Sequence, residues 1–185
     1  MTVGDATFIH PSAHVEDGAL VGDRTQVWHH AHIRSGAVIG PDSVIGKNVY
    51  VDADVRIGAR AKIQNNVSVY HGVELADEVF VGPSAVFTND RTPRAVSPGW
   101  VVTPTFVRRG ASIGANATVV CGVELASWSM VAAGAVVTRS THEYQLVAGN
   151  PARHHGWVCR CGAVVSRDRD PPAGLADTRC EHTGG

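Results

Sequence analysis

No run of apolar residues in this 185-residue chain approaches the roughly 18 that a membrane span needs, so no membrane partner is expected. The opening stretch, Met1 to Ile9, lacks a basic segment followed by an apolar one, and no secretory signal is read there. Neither sign of charge is in excess. A formal net charge of −1 argues against a nucleic-acid binder, which would carry a basic face. Lysine is nearly absent, with Arg far more frequent, and we take that bias as genome composition rather than function. Cysteine is limited to four residues, and in a chain without a signal these are expected reduced or metal-bound rather than paired. The 44% hydrophobic content then fits one globular domain, cytoplasmic, with at most a small appendage.

What is present is a period of six. From Ile9 to Phe87 every sixth residue is bulky and apolar: Ile9, Val15, Val21, Val27, Ile33, Ile39, Ile45, Val51, Ile57, Ile63, Val69, Leu75, Val81, Phe87. The phase returns as Val107, Ile113, Val119, Leu125, Val131 and Val137. Four residues past these anchors sit small or β-branched residues such as Ala19, Thr25, Ala37, Ser43, Val55 and Ala61. Neither an amphipathic helix nor a half-buried strand has this period. Three hexads closing one triangular coil of about eighteen residues do, which predicts an all-β parallel β-helix of hexapeptide repeats.

Residues 1–8 are expected to cap the open end of the solenoid. Residues 88–106 (TNDRTPRAVSPGWVVTPTF) break the phase. Phe87 and Val107 lie twenty apart, one hexad plus about fourteen, so the solenoid should resume on the next side of the triangle. So long an insertion in a strict repeat is read as functional. From Thr138 to Arg153 the hexads stop, and THEYQLVAGNPAR is expected to form a short turn or helix before an extended exit. The repeat domain is drawn as 1–153, with 154–185 as a tail. There Cys159, Cys161, Cys180 and His182 supply three thiolates and an imidazole, enough for one structural zinc; unligated thiols are the alternative. Cys121 is expected to face outward.

The eighteen-residue coil makes a sharper inference possible. Residues eighteen apart should stack at about 4.8 Å, one interstrand spacing. His71 and Asn89 are eighteen apart and each lies two past its anchor, at an outward position, so they should meet at the root of the long loop.

The hexads, the single loop and the closing GAVVTRS…LVAGNPAR segment together resemble the left-handed β-helix acyltransferases over about residues 9–157. The segments KIQNNVSVYHGVEL, VFVGPSAVFTNDRTPRA and RRGASIGANATVVCGVELASWSMVAAGAVVTRS resemble the branch that N-acetylates 3-amino sugars carried on nucleotides, UDP-linked uronic acids or dTDP-linked 3,6-dideoxyhexoses. The left hand is implied by this resemblance alone, since strand chirality favours right-handed crossovers. The resemblance also implies a homotrimer with sites between subunits, acetyl-CoA as cosubstrate and a nucleotide sugar as acceptor. It makes His71 a candidate proton acceptor and Asn89 an orienting group for the amine. Asn65, Asn66, Asp90 and Arg94 become candidate sugar contacts. The pattern NDR-x-PR is similar to the dideoxyhexose enzymes, whereas the uronic-acid enzymes tend to have Asp in place of His71.

For coenzyme A, Gly114, Ala115, Ala132, Ala133 and Gly134 offer a bare backbone for a long ligand. Arg139 and Arg153 are candidates for its phosphates, and Pro151 and Ala152 for flanking adenine. Each Gly or Ala alone is more plainly a corner residue of a hexad, whereas the cluster together favours the ligand. Two other classes compete: a γ-carbonic-anhydrase-like zinc enzyme drawing on His29, His30 and His32, and a non-catalytic β-helix scaffold. The coil VGPSAVFTND supplies no histidine pair for the zinc reading.

Overall fold

A computed structural model describes residues 2–96 and 99–177. The hexads fold as expected, into a parallel β-solenoid of about eight turns. Most strands are two residues long, an outward residue followed by the buried anchor. Three sheets line the three faces. The first runs from Thr2–Val3 to Glu124–Leu125 and the third from His14–Val15 to Val136–Val137. The second runs from Phe8–Ile9 to Met130–Val131 and continues through Gln145–Ala148. Register is strict: Ile63 pairs with Ile45 below and Val81 above, eighteen residues each way.

The reason for the period lies in the core. Anchors and residues four past them fill the interior: Ile33, Ile45, Ile63 and Val81 are fully buried, as are Ala37, Ala61 and Val67. Thr25 and Ser43 share that interior because their hydroxyls donate to the Gly40 and Gly58 carbonyls, at 3.0 and 3.1 Å. Three past the anchor the chain turns through the left-handed region, with Arg24, Asp42, Arg60, Asn66 and Glu78 at φ of 56°, 58°, 55°, 63° and 62°. Arg24, Asp42, Arg60 and Glu78, eighteen apart along one corner, make a ladder of alternating charge. Arg24 donates to Asp42 Oδ1 at 2.6 Å, and Arg60 to Glu78 Oε1 at 2.7 Å.

The long insertion leaves the stack unbroken. Leu75 pairs with Val107, Val81 with Ile113 and Phe87 with Val119, each thirty-two apart, one coil plus fourteen residues. The solenoid does resume on the next face.

Three expectations need correction. Residues 1–8 are no separate cap: Thr2–Val3 already pairs with Leu20–Val21 as the first coil. The stretch after Thr138 is neither turn nor helix in its middle, because Leu146 and Val147 stack on Met130 and Val131 as a further rung. That rung is sixteen residues on rather than eighteen, which hides it from a search for hexads. Finally, Arg153–Val158 pairs antiparallel with Gln145–Ala148 and then with Val164–Ser166, so the boundary drawn at 153 falls at the start of a strand. This appendage has a small core of its own, Tyr144, Trp157 and Leu175 against Trp128 and Val165. Among the described residues, no helix is long and apolar enough to cross a membrane.

Candidate active site

His71 stands at the corner between the third and first faces, exposed and two residues past Val69. Its Nδ1 lies 3.0 Å from the carbonyl oxygen of Ala53, one rung away. A carbonyl only accepts, so Nδ1 carries a proton, and in the neutral imidazole the lone pair is the one on Nε2. The His71 backbone N–H donates to Asp52 Oδ2 at 3.2 Å. Asp52 Oδ1 accepts from the Ala53 N–H at 2.8 Å, Arg34 at 2.9 Å and the Tyr50 hydroxyl at 3.0 Å. Burial pushes the Asp52 carboxyl up, but the Ala53 and His71 N–H groups, then Tyr50 and Arg34, outweigh it and hold it below the usual carboxylate range. Sequence reasoning missed this support. A signal was available in Glu16, Arg34 and Asp52, which recur eighteen apart with alternating charge.

Asn89 stacks on His71 as the spacing predicts. The contact runs through the backbone: Asn89 Nδ2 donates to the His71 carbonyl at 3.3 Å, leaving Oδ1 as the acceptor for something else. The Asn89 carbonyl accepts from the Thr103 N–H at 3.0 Å and closes the neck of the loop. Asp90 Oδ1 accepts the Thr92 N–H at 2.8 Å, a local turn, while Arg94 is exposed and donates to the Pro93 carbonyl at 2.9 Å. Arg91 reaches the Cys121 carbonyl at 3.2 Å, and Thr88 Oγ1 accepts the Cys121 N–H at 2.9 Å. Cys121 is therefore completely buried, not outward, because the start of the loop folds over it.

Asn65 and Asn66 sit at a different corner, between the second and third faces. Asn65 Oδ1 accepts the Lys47 N–H at 2.9 Å and Asn66 Oδ1 accepts Asn48 Nδ2 at 3.0 Å, so both side chains serve the stack. Asn65 also lines a cleft of about 230 Å³ with Trp28, His29, Gly46, Lys47 and Gln64. Gly114, Ala115, Ala132, Ala133 and Gly134 follow farther along the same corner. At Gly114 the fold alone requires glycine, because a Cβ would run into the backbone of Ala133 in the next coil. Gly134, with φ +70°, faces open space. Arg139, Ala152 and Arg153 line a cavity of about 250 Å³ with Ser140, Gln145 and His154. Pro151 follows a cis peptide bond after Asn150. A cavity of about 600 Å³ lies in the appendage among His142, Gln145, His154 and Trp157, not at His71.

In the tail, Cys159 and Cys161 bring their sulfurs to 2.6 Å. Cys180 and His182 lie outside the described residues, so the four-ligand set is not assembled among the described ones. The three histidines of the carbonic-anhydrase reading diverge. His29 stacks on His10 at the corner, with centroids 3.5 Å apart, whereas His32 faces out from the third sheet beside Glu16.

The repeats match the bacterial transferase hexapeptide (six repeats) over residues 18–53, 36–69 and 54–89, and the hexapeptide repeat of succinyl-transferase over 109–139. Over 57 residues, 31% of this chain and 30% of the relative, the sequence is 53% identical to dTDP-3-amino-3,6-dideoxy-alpha-D-galactopyranose 3-N-acetyltransferase from Aneurinibacillus thermoaerophilus. Over 103 residues, 56% of this chain and 24% of the relative, it is 34% identical to serine acetyltransferase 4 from Arabidopsis thaliana. The chain thus spans less than a third of the length of these curated relatives.

Among solved structures, a hexapeptide-repeat acetyltransferase from Vibrio cholerae O1 biovar eltor, complexed with acetyl coenzyme A, superposes with TM-score 0.59 at 26% identity. That match covers 66% of this chain and 70% of the other. A mutant GDP-perosamine N-acetyl transferase from Caulobacter crescentus, in complex with CoA and GDP-perosamine, gives 0.56 at 25%, covering 81% and 56%. An N-acyltransferase from Bacillus cereus shares the fold at TM-score 0.65 and 16% identity, covering 91% and 84%. Repeat matches spanning more than half of the residues, on a solenoid with this register, carry the conclusion: the chain belongs to the bacterial hexapeptide-repeat transferases.

Proposed function

We propose that the protein is an acetyl-CoA-dependent N-acetyltransferase acting on the amino group of a nucleotide-linked 3-amino sugar. The observation that carries this reading is the His71–Asn89 corner, where a nitrogen lone pair and an amide oxygen are both fixed by backbone hydrogen bonds at the neck of the loop. The Asn89 Oδ1 accepts a hydrogen from the sugar amine and turns its lone pair toward the thioester carbonyl. As the C–N bond forms and the C–S bond breaks, His71 Nε2 takes the ammonium proton and coenzyme A leaves as the thiolate. The NDR-x-PR loop start, and the relative named for a dTDP-3-amino-3,6-dideoxyhexose, favour the dTDP-linked dideoxy sugar over a UDP-linked uronic acid.

The same geometry favours a homotrimer with shared sites. Asn65 and His71 mark two corners of one coil, and six residues span at most roughly 20 Å. Coenzyme A lying along the small-residue corner of one subunit therefore meets His71 most directly from a neighbour. Outward Phe80 and Val86, 37% and 47% exposed beside that corner, suit a covered surface. The cleft of Trp28, Lys47 and Gln64, nearer the N-terminal end of the corner, is suited to the nucleotide, and Arg139 and Arg153 to the phosphates of coenzyme A. Incubation with acetyl-CoA and dTDP- or UDP-linked 3-amino sugars, read as thiol release, is the test. Release only with a 3-amino sugar is expected; none with any amine returns the protein to the scaffold class.

A further inference from the structure

We propose that His14, Glu16 and His32 form a site for a divalent transition-metal ion that ties the first coil of the solenoid to the second. His14 and His32 are paired in adjacent strands of the third sheet, and Glu16 follows two residues after His14. One ligand atom from each residue lies within 4.8 Å of the other two. His32 Nε2 and Glu16 Oε1 are 2.7 Å apart, and the two imidazole centroids are separated by 5.1 Å. An ion held at about 2.0–2.2 Å from nitrogen and oxygen needs ligand atoms roughly 3 Å apart, so the exposed His14 ring is the one that must turn.

The other carboxylate oxygen, Glu16 Oε2, accepts the Ser35 N–H at 2.9 Å, the kind of outer bond that orients a ligating carboxylate. That bond and the one to His32 keep the Glu16 carboxyl below its usual range, hence ionised at neutral pH. Two imidazoles and one carboxylate select zinc, copper or nickel over calcium or magnesium. Arg34 is the opposing charge, with Nε 3.8 Å from Glu16 Oε1, but its Nη1 is committed to Asp52 at 2.9 Å.

The location gives the ion something to do. Ile9, Ala13 and Val15 are only partly buried, whereas the anchors from Val21 onward are closed within the core. Among the described residues the first coil is paired on one side, and a coil held by one neighbour gains most from an added tie. A bond between coils binds the folded end and not the frayed one.

The test is amide hydrogen exchange on the full chain with and without Ni²⁺. At a metal concentration 100 times its dissociation constant, exchange in residues 2–33 should slow about 100-fold, with the coils beyond unaffected. His14→Ala/His32→Ala should abolish the protection, and Glu16→Gln should weaken it. His10→Ala/His29→Ala and Cys159→Ser/Cys161→Ser should leave it intact. All of these side chains point outward or lie in the appendage, so the variants keep the solenoid core. Absence of protection in the wild-type chain overturns the proposal. So does protection that survives the His14→Ala/His32→Ala change, or that is lost with His10 and His29.

Discussion

At the scale of single residues, the two members of the corner make different demands. If Asn89 orients the amine as proposed, Asn89→Ala removes that acceptor while leaving the small-residue corner of Gly114 and Ala132 untouched. A positioned hydrogen bond contributing ~1.4–4 kcal/mol in the transition state implies a 10- to 1,000-fold fall in kcat/KM for the amine, with coenzyme A affinity unchanged in equilibrium titration. If His71 takes the amine proton as proposed, His71→Ala should lower kcat by about 10²–10⁴-fold near neutral pH. That deficit should shrink as pH rises, because the substrate amine then loses its proton without help. A deficit constant across the pH–rate profile would assign His71 to shaping the site instead. The stacking of these two residues was legible in the sequence from the spacing of eighteen. The bond between Nδ1 and the Ala53 carbonyl was not, because a backbone partner leaves no mark in residue type.

At the scale of elements, the corner ladder and the loop can be tested separately. Glu78 lies between Arg109 and Arg60, whose hydrogen bonds lower its pKa from 4.5 to about 2. A depressed carboxylate stabilises the fold fully above its ordinary value, and that stabilisation is lost as pH falls from 4.5 toward 2. Glu78→Gln should therefore lower Tm at pH 7 and flatten the fall of Tm between pH 4.5 and 2, read by thermal melts across that range. The effect should be modest, since the pair faces solvent. For the loop, excision of residues 90–103 removes fourteen residues and restores the hexad count between Phe87 and Val107. Pro104 then falls three past an anchor, where the chain needs positive φ and proline is barred, so the excision needs Pro104→Gly as well. The shortened chain should keep its β-sheet circular dichroism and lose amine turnover. Loss of cooperative melting would mean that the cover over Cys121 holds the stack together. The insertion's length and exit face could be counted from the sequence, whereas its path over Cys121 depends on Arg91 and Thr88 finding backbone atoms thirty and thirty-three residues away.

At the scale of the whole molecule, the faces and core follow from the alternation of bulky anchors with small residues four positions on. The C-terminal rung escaped that pattern because Val147 stacks on Val131 sixteen residues away and pairing then turns antiparallel. Neither arrangement bears on the main consequence of a triangular coil, that one chain presents the His71–Asn89 corner and the small-residue corner of Gly114 on opposite edges of a face. If the halves of each site come from neighbouring subunits, light scattering should report a trimer. Two inactive variants should then rescue one another. His71→Ala damages one corner, and Ala132→Arg fills the groove at the other. In trimers reassembled from an equal mixture, a site is intact when its His71 comes from the second variant and its groove from the first, which holds for about a quarter of interfaces under cyclic symmetry. Activity near a quarter of wild type is the expected result, against near zero for either variant alone. A mixture as inactive as its components, with exchange of subunits verified by mass, would place both halves of the site on one chain.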